Sequence, residues 1–104
     1  MNVTDCLANL AETDDKAANA KALMKGLELN LKRVKAYEFL QAQGTVAERE
    51  HKAYDSEQYK ETAQKYQNAI ADYEILANQR NTWTLGFEYW RSNNANRRQA
   101  GGNL

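Results

Sequence analysis

The stretch that decides the fold is Gly44-Thr45-Val46-Ala47-Glu48. A glycine can adopt the left-handed backbone conformation that ends many helices, because it has no Cβ atom to clash. Thr45 followed three residues later by Glu48 matches a capping box. In that motif the threonine oxygen accepts from the amide of residue 48, and the glutamate accepts from the amide of residue 45. One helix is therefore predicted to end here and another to begin at once, as antiparallel neighbours.

The composition favours long helices on both sides of this turn. The chain has 104 residues, no proline and only five glycines, so helix-breaking residues are scarce. The predicted fold class is all-α, a long antiparallel two-helix hairpin of coiled-coil type. Helix A is predicted at about 4–43, the turn at 44–45, helix B at about 46–98 and a disordered tail at 99–104. A two-helix hairpin buries little core, so we expect it to dimerise into a helical bundle.

Apolar residues in both helices repeat at alternating steps of three and four, the spacing of a coiled-coil seam. In helix A this spacing runs from Ala17 to Val34, and in helix B from Tyr66 to Trp90. Three places weaken the pattern. The seam of helix A lacks an apolar residue at 13–15, and helix B has candidate breaks at 55–56 and 81–86.

Folding the chain at Gly44 sets a register in which facing positions have residue numbers that sum to about 90. Leu10 then faces Arg80, and Cys6 lies near Trp83. The small side chains Ala17 and Ala20 of helix A face large side chains of helix B, as close helix packing requires. In this register helix B extends beyond the N-terminus of helix A.

Charge and motifs exclude several functional classes. Acidic and basic residues balance at 14 each, so the net charge favours neither nucleic acid nor membrane. Neither glycine-rich phosphate-binding motif is present, and a two-helix hairpin offers no enclosed cleft. The lone histidine, His51, shares a helix face with Glu48 and Asp55, which is more typical of a solvated surface than of a metal site. We therefore predict a non-enzyme without cofactor or metal.

The single cysteine, Cys6, excludes an intramolecular disulfide and fits a reducing compartment. The chain contains no run of about 18 apolar residues and no basic start followed by an apolar segment. We accordingly expect a cytoplasmic protein that does not bind membranes.

The most unusual stretch is the end of helix B, which we call the aromatic–arginine segment: Trp83, Phe87, Tyr89, Trp90, Arg91, Arg97 and Arg98. One interpretation is a helix core that needs a second protomer or a partner to cover it. Tryptophan, tyrosine and arginine are also enriched in the hot spots of protein interfaces. An alternative is single-strand nucleic-acid binding, with bases stacked on the aromatic rings, although three arginines are few for that task. We take this segment as the candidate partner-binding site.

Two segments carry a resemblance to known proteins, GTVAERE at 44–50 and FEYWRSNNANRR at 87–98. They resemble small helical proteins, mostly uncharacterised, of tailed bacteriophages and prophages. The resemblance implies an accessory role in phage DNA metabolism. We therefore expect the partner to be a phage recombination or replication protein, or a host protein that is inhibited, in the bacterial cytoplasm. The resemblance implies no catalytic residues.

Overall fold

The computed structural model describes the backbone of residues 2–102 and the side chains of residues 2–99. Within that range the chain is all-α, with helices α1 (Val3–Gln41), α2 (Val46–Asp55) and α3 (Glu57–Gly102) and no strand. Asn2 caps α1, because its side-chain oxygen accepts from the amide of Asp5 at 2.8 Å. The residues cluster into two compact units. Among the described residues, unit 1 comprises 2–18 and 75–102, and unit 2 comprises 19–74.

The predicted turn is confirmed between α1 and α2. Gly44 has a φ angle of 122°, in the region that favours glycine. The Thr45 hydroxyl accepts from the amide of Glu48 at 3.2 Å, which is the first half of the predicted capping box. The Glu48 side chain folds back against Gly44. The loop is longer than predicted, because α1 ends at Gln41 and α2 begins at Val46.

The candidate break of helix B at 55–56 is present, because Ser56 separates α2 from α3, so the predicted helix B of 46–98 is two helices. The Ser56 hydroxyl donates to the carbonyl of Ala53 at 2.8 Å and accepts from the amide of Tyr59 at 3.2 Å. One side chain thus caps the end of α2 and the start of α3, and Ser56 itself is extended, at φ −66° and ψ 146°. The predicted weak points at 13–15 and 81–86 are helical, and α3 continues to Gly102, beyond the expected end at 98. Residues 103–104 of the predicted disordered tail lie outside the described residues.

The double cap at Ser56 can be tested by substitution. Ser56→Ala is expected to lower the free energy of unfolding by about 1 kcal/mol, because both the Ala53 and Tyr59 hydrogen bonds are lost. Urea unfolding followed by circular dichroism measures the change. Ser92→Ala, at an exposed position inside α3, serves as the control and should leave the urea midpoint nearly unchanged. Equal midpoints for the two variants would contradict the capping role.

In unit 2, the last turns of α1 pack antiparallel to α2. Lys35 Nζ donates to the Tyr54 hydroxyl at 2.5 Å and lies 3.6 Å from Glu50 Oε1. Arg49 donates from Nε to the Phe39 carbonyl at 3.2 Å, and its guanidinium lies 4.4 Å from the centre of the Phe39 ring. The hydrogen bond to Tyr54 raises the pKa of Lys35, and Glu50 raises it further. A raised pKa means that charged Lys35 is more stable in the folded state than in the unfolded chain. This stabilisation is present at neutral pH and is lost as the pH rises above about 10.5.

In unit 1, the start of α1 packs antiparallel to the second half of α3 in the predicted register. Arg80 Nη1 donates to the carbonyl of Leu10 at 2.9 Å and to the hydroxyl of Thr13 at 2.6 Å. Arg80 Nη2 lies 2.6 Å from Asp14 Oδ1. The predicted facing of Leu10 and Arg80 is therefore confirmed. Thr13 stands where the seam of α1 lacks an apolar residue, and its hydroxyl accepts this hydrogen bond from Arg80 in the opposing helix. The polar side chain therefore has a hydrogen-bond partner within the seam.

The same unit has a close approach of the two helices at Cys6 and Gly86. Cys6 is 2 % exposed, and a Cβ atom built on Gly86 would lie 2.9 Å from the Cys6 Sγ. Cys6 was expected near Trp83, and the structure places its sulfur against Gly86, about one helical turn further along α3. Gly86, which the sequence marks only as a poor helix former, is the residue that makes room for the sulfur.

A matched pair of glycine substitutions tests this close approach. Gly26→Ala is expected to raise the free energy of unfolding by about 1 kcal/mol, because a Cβ there meets nothing within 4 Å. Gly86→Ala is expected to lower it by about 1–2 kcal/mol, because the methyl group overpacks against the Cys6 sulfur. Urea unfolding measures both changes.

The matching background variant is Cys6→Ala, which removes the sulfur. In that background Gly86→Ala should become stabilising. A Gly86→Ala variant that is as stable as Gly26→Ala while Cys6 is present would show that the helices do not approach closely here.

Candidate partner-binding surface

The candidate site begins where α3 passes the start of α1. Cys6 lies against Gly86, and α1 begins only three residues before Cys6, at Val3. In an antiparallel pair, α3 therefore passes the start of α1 near Tyr89. We call residues 90–99 of α3 the overhang. It is about 15 Å long at 1.5 Å per residue, and no residue of the described part of α1 lies opposite it.

The aromatic residues lie on both sides of this boundary. Trp83 and Phe87 are half-buried in unit 1. Phe87 stacks on Trp90, with ring centroids 6.1 Å apart and an interplanar angle of 24°. Trp90 is nevertheless 43 % exposed and Tyr89 is 71 % exposed. The aromatic stripe therefore belongs to the core at one end and to the surface at the other, and Trp90 is held in place by Phe87 beneath it.

The three arginines of the aromatic–arginine segment are all on the surface. Arg91 Nη2 lies 3.1 Å from Glu88 Oε2, one turn earlier on α3, so that side chain is held along the helix. Arg97 and Arg98 are exposed. From residue 89 to residue 99 the chain carries three arginines and no acidic residue. The overhang therefore combines exposed aromatic surface with positive charge.

The seam spacing continues into the overhang. Phe87, Trp90, Asn94 and Arg97 follow one another at steps of three, four and three, and Asn94 is half-buried while its neighbours are exposed. A polar residue at such a seam position commonly fixes which helix pairs and in which register. Within the overhang the seam positions are therefore one apolar residue, Trp90, followed by two polar ones, Asn94 and Arg97.

Sequence reasoning missed part of this surface. Ile75 and Leu85 on α3 are 58 % and 60 % exposed, and Leu7 on α1 is 47 % exposed. Ile75, Thr82, Leu85 and Tyr89 are separated by steps of seven, three and four, which place them on one helix face. That spacing is visible in the sequence, but the stronger aromatic seam on the other face concealed it.

The surface around His51 is a shallow depression of about 450 Å³, lined by His51, Lys52, Tyr54 and Asp55. Among the described residues, no group of three or more His, Cys, Asp or Glu side chains is placed to hold a metal ion. Across residues 2–102, none of the helices is both long and apolar enough to cross a membrane.

No protein-family model, curated protein or solved structure matches this chain. The candidate site is therefore defined by the geometry of unit 1 alone.

Proposed function

We propose that the protein is a non-catalytic binding protein that holds a protein partner through the aromatic–arginine segment of α3. The observation that supports this most is the overhang, in which a coiled-coil seam continues past the end of its own partner helix. Trp90 and Tyr89 supply exposed apolar anchors, and tryptophan and tyrosine are among the residues that dominate interface energies. The anchors desolvate against the partner, and Arg91, Arg97 and Arg98 set its orientation.

The resemblance at 44–50 and 87–98 suggests the setting of this binding. We propose an accessory or adaptor protein of a tailed bacteriophage, acting in the bacterial cytoplasm on a phage recombination or replication protein or on an inhibited host protein. The single long hairpin and its pairing into a dimeric bundle remain predictions.

The alternative is a single-strand nucleic-acid-binding accessory protein, which the three arginines without an acidic residue favour. Salt distinguishes the two classes, because phosphate contacts weaken steeply as salt rises, whereas an aromatic protein interface does not. We expect no retained complex between the protein and single-stranded DNA in a gel-shift titration at low salt. A complex that forms there, and is lost in Trp90→Ala, would replace the protein partner with nucleic acid.

A purely structural homo-oligomer is the third class, in which the aromatic end is covered by a second copy. Measuring the molecular mass of Trp83→Ala and Trp90→Ala by light scattering tests it. Our proposal expects both variants to keep the wild-type mass. A change to a smaller species in Trp90→Ala would place self-association, and not a partner, on the overhang.

A further inference from the structure

Arg97 in the overhang shares one seam of α3 with Arg80. Between these two arginines the seam positions follow at alternating steps of three and four without a gap, so both belong to the same coiled-coil seam. Arg80 lies where α1 covers the seam, and its side chain is 24 % exposed. Arg97 is exposed, and no residue of the described part of α1 lies opposite it. The same residue type therefore occurs in a covered and an uncovered part of one seam.

The contacts of Arg80 show what this seam requires opposite an arginine. The guanidinium donates to the Leu10 carbonyl and the Thr13 hydroxyl, and it pairs with the Asp14 carboxylate at 2.6 Å. A guanidinium that leaves water is costly unless a carboxylate and hydrogen-bond acceptors replace the water. All three groups come from residues 10–14 of α1, so in unit 1 a helix with an acidic turn already binds an arginine of the α3 seam.

The end of α3 supplies no such carboxylate for Arg97. No acidic side chain follows Glu88 in the sequence, and Glu88 lies 3.1 Å from Arg91. Trp90 is the one apolar seam residue of the overhang, and Arg97 follows it by about two helical turns, or roughly 10 Å. A partner helix that buries Trp90 along this seam therefore also covers Arg97. That partner must provide a carboxylate there, because a covered arginine without one would be desolvated and unpaired.

The flanking charges select for the same chemistry. Arg91 and Arg98 are exposed, and their spacing of seven residues places them along one edge of the seam. Charges at such positions choose the partner helix by opposite charge. A helix is favoured over nucleic acid because α1 already fills this seam and pairs with Arg80 there.

We propose that the partner of the overhang presents an acidic amphipathic helix, which lies along the α3 seam where α1 no longer covers it. An apolar side chain of that helix packs on Trp90, and a carboxylate pairs with Arg97 as Asp14 pairs with Arg80. About ten residues, or three turns, are enough to span the overhang. This partner chemistry rests on the proposed function, because it describes the element of the partner that the overhang binds.

Three synthetic peptides test the proposal, each stapled as a helix of about 14 residues, or four turns. All carry leucine at the seam positions, and the flanking positions are glutamate, glutamine or lysine. Fluorescence anisotropy at low salt measures their binding to the full chain. The glutamate peptide should bind about tenfold or more tighter than the glutamine peptide, and the lysine peptide should bind weakest. Trp90→Ala should weaken binding of the glutamate peptide.

Two variants that lower the net charge equally locate the contact. Arg97→Gln should remove most of the preference for glutamate. Ser92→Glu changes an exposed residue on the face opposite the seam and should keep that preference. Equal affinities for the three peptides would overturn the proposal. So would an equal preference for glutamate in Arg97→Gln and wild type, or binding of single-stranded DNA without binding of any peptide.

Cross-linking adds a second readout. Arg97→Lys keeps the positive charge and introduces an amine, which a carbodiimide joins to a neighbouring carboxylate through an amide bond. Mass spectrometry should locate a cross-link between position 97 and the glutamate peptide, whereas Ser92→Lys should give none at position 92. Equal cross-linking at both positions would contradict the proposed contact.

The outcomes separate this partner chemistry from the proposed function. A protein that is captured from cells in a Trp90-dependent way, together with no preference for the glutamate peptide, would overturn the acidic helix alone. A clear preference for the glutamate peptide, together with no Trp90-dependent protein, would overturn the proposed function and leave the acidic preference of the overhang standing.

Discussion

Replacing Arg80 with glutamate is expected to lower the free energy of unfolding by about 3 kcal/mol or more. Arg80 is 24 % exposed and reaches Asp14 at 2.6 Å, while its other terminal nitrogen donates to the Leu10 carbonyl and the Thr13 hydroxyl. A glutamate would place a second carboxylate beside Asp14 and would supply no donor to the Leu10 carbonyl. The partly buried charge would then face only like charge and acceptors.

Arg80→Met is the matched control, because it keeps the long apolar stem in the seam and removes only the charged head. We expect it to cost about 1 kcal/mol or less, since the Asp14 carboxylate that loses its partner is 67 % exposed and stays solvated. Urea unfolding followed by circular dichroism measures both variants. Equal losses for methionine and glutamate would show that Arg80 acts through packing alone and not through the contacts with Leu10, Thr13 and Asp14.

Trp90→Ala is expected to weaken binding of the partner by about 30-fold or more, which corresponds to about 2 kcal/mol for a hot-spot tryptophan. Trp90 stacks on Phe87, so the free protein already holds the ring in place and little entropy is lost on binding. The fold should tolerate the change, because Trp90 lies beyond the start of α1 and is 43 % exposed.

Titration of the purified partner by fluorescence anisotropy gives the affinity of each variant. Val46→Ala, a 68 % exposed residue of unit 2, is the control and should bind like wild type. Changing Arg97 and Arg98 together to glutamine should weaken binding less than Trp90→Ala does. The loss should be seen mainly at low salt, because salt screens the attraction between exposed charges. A larger loss for the arginine pair would make charge, and not the aromatic anchor, the main source of affinity.

The fold was predictable where single residues carry strong local signals. Gly44 and Thr45 fix the loop through backbone conformation and a side-chain cap, which depend on neighbouring residues alone. The turn then set the register closely enough to place Leu10 opposite Arg80. The break at Ser56 was harder, because a serine also fits inside a helix, and only its bonds to both Ala53 and Tyr59 reveal the double cap.

The candidate site was predictable in its residues but not in its geometry. The cluster of aromatic and arginine residues is evident from the sequence. So is its position at the end of helix B, far from the turn at 44–45. The sequence does not show that Gly86 makes room for Cys6, because that contact depends on a register known only to within a turn of helix. Where the core ends and the exposed surface begins, between Phe87 and Trp90, follows from that contact and from the start of α1 at Val3.

The central claim is that the overhang of α3 holds a protein partner, and affinity capture from phage-infected bacteria tests it most directly. Immobilised wild type, Trp90→Ala and Val46→Ala would be compared by quantitative mass spectrometry after nuclease treatment and a wash at high salt. We predict a protein that is retained by wild type and Val46→Ala and depleted in Trp90→Ala. The same set of proteins on all three, or a retained set that disappears with nuclease, would contradict the claim.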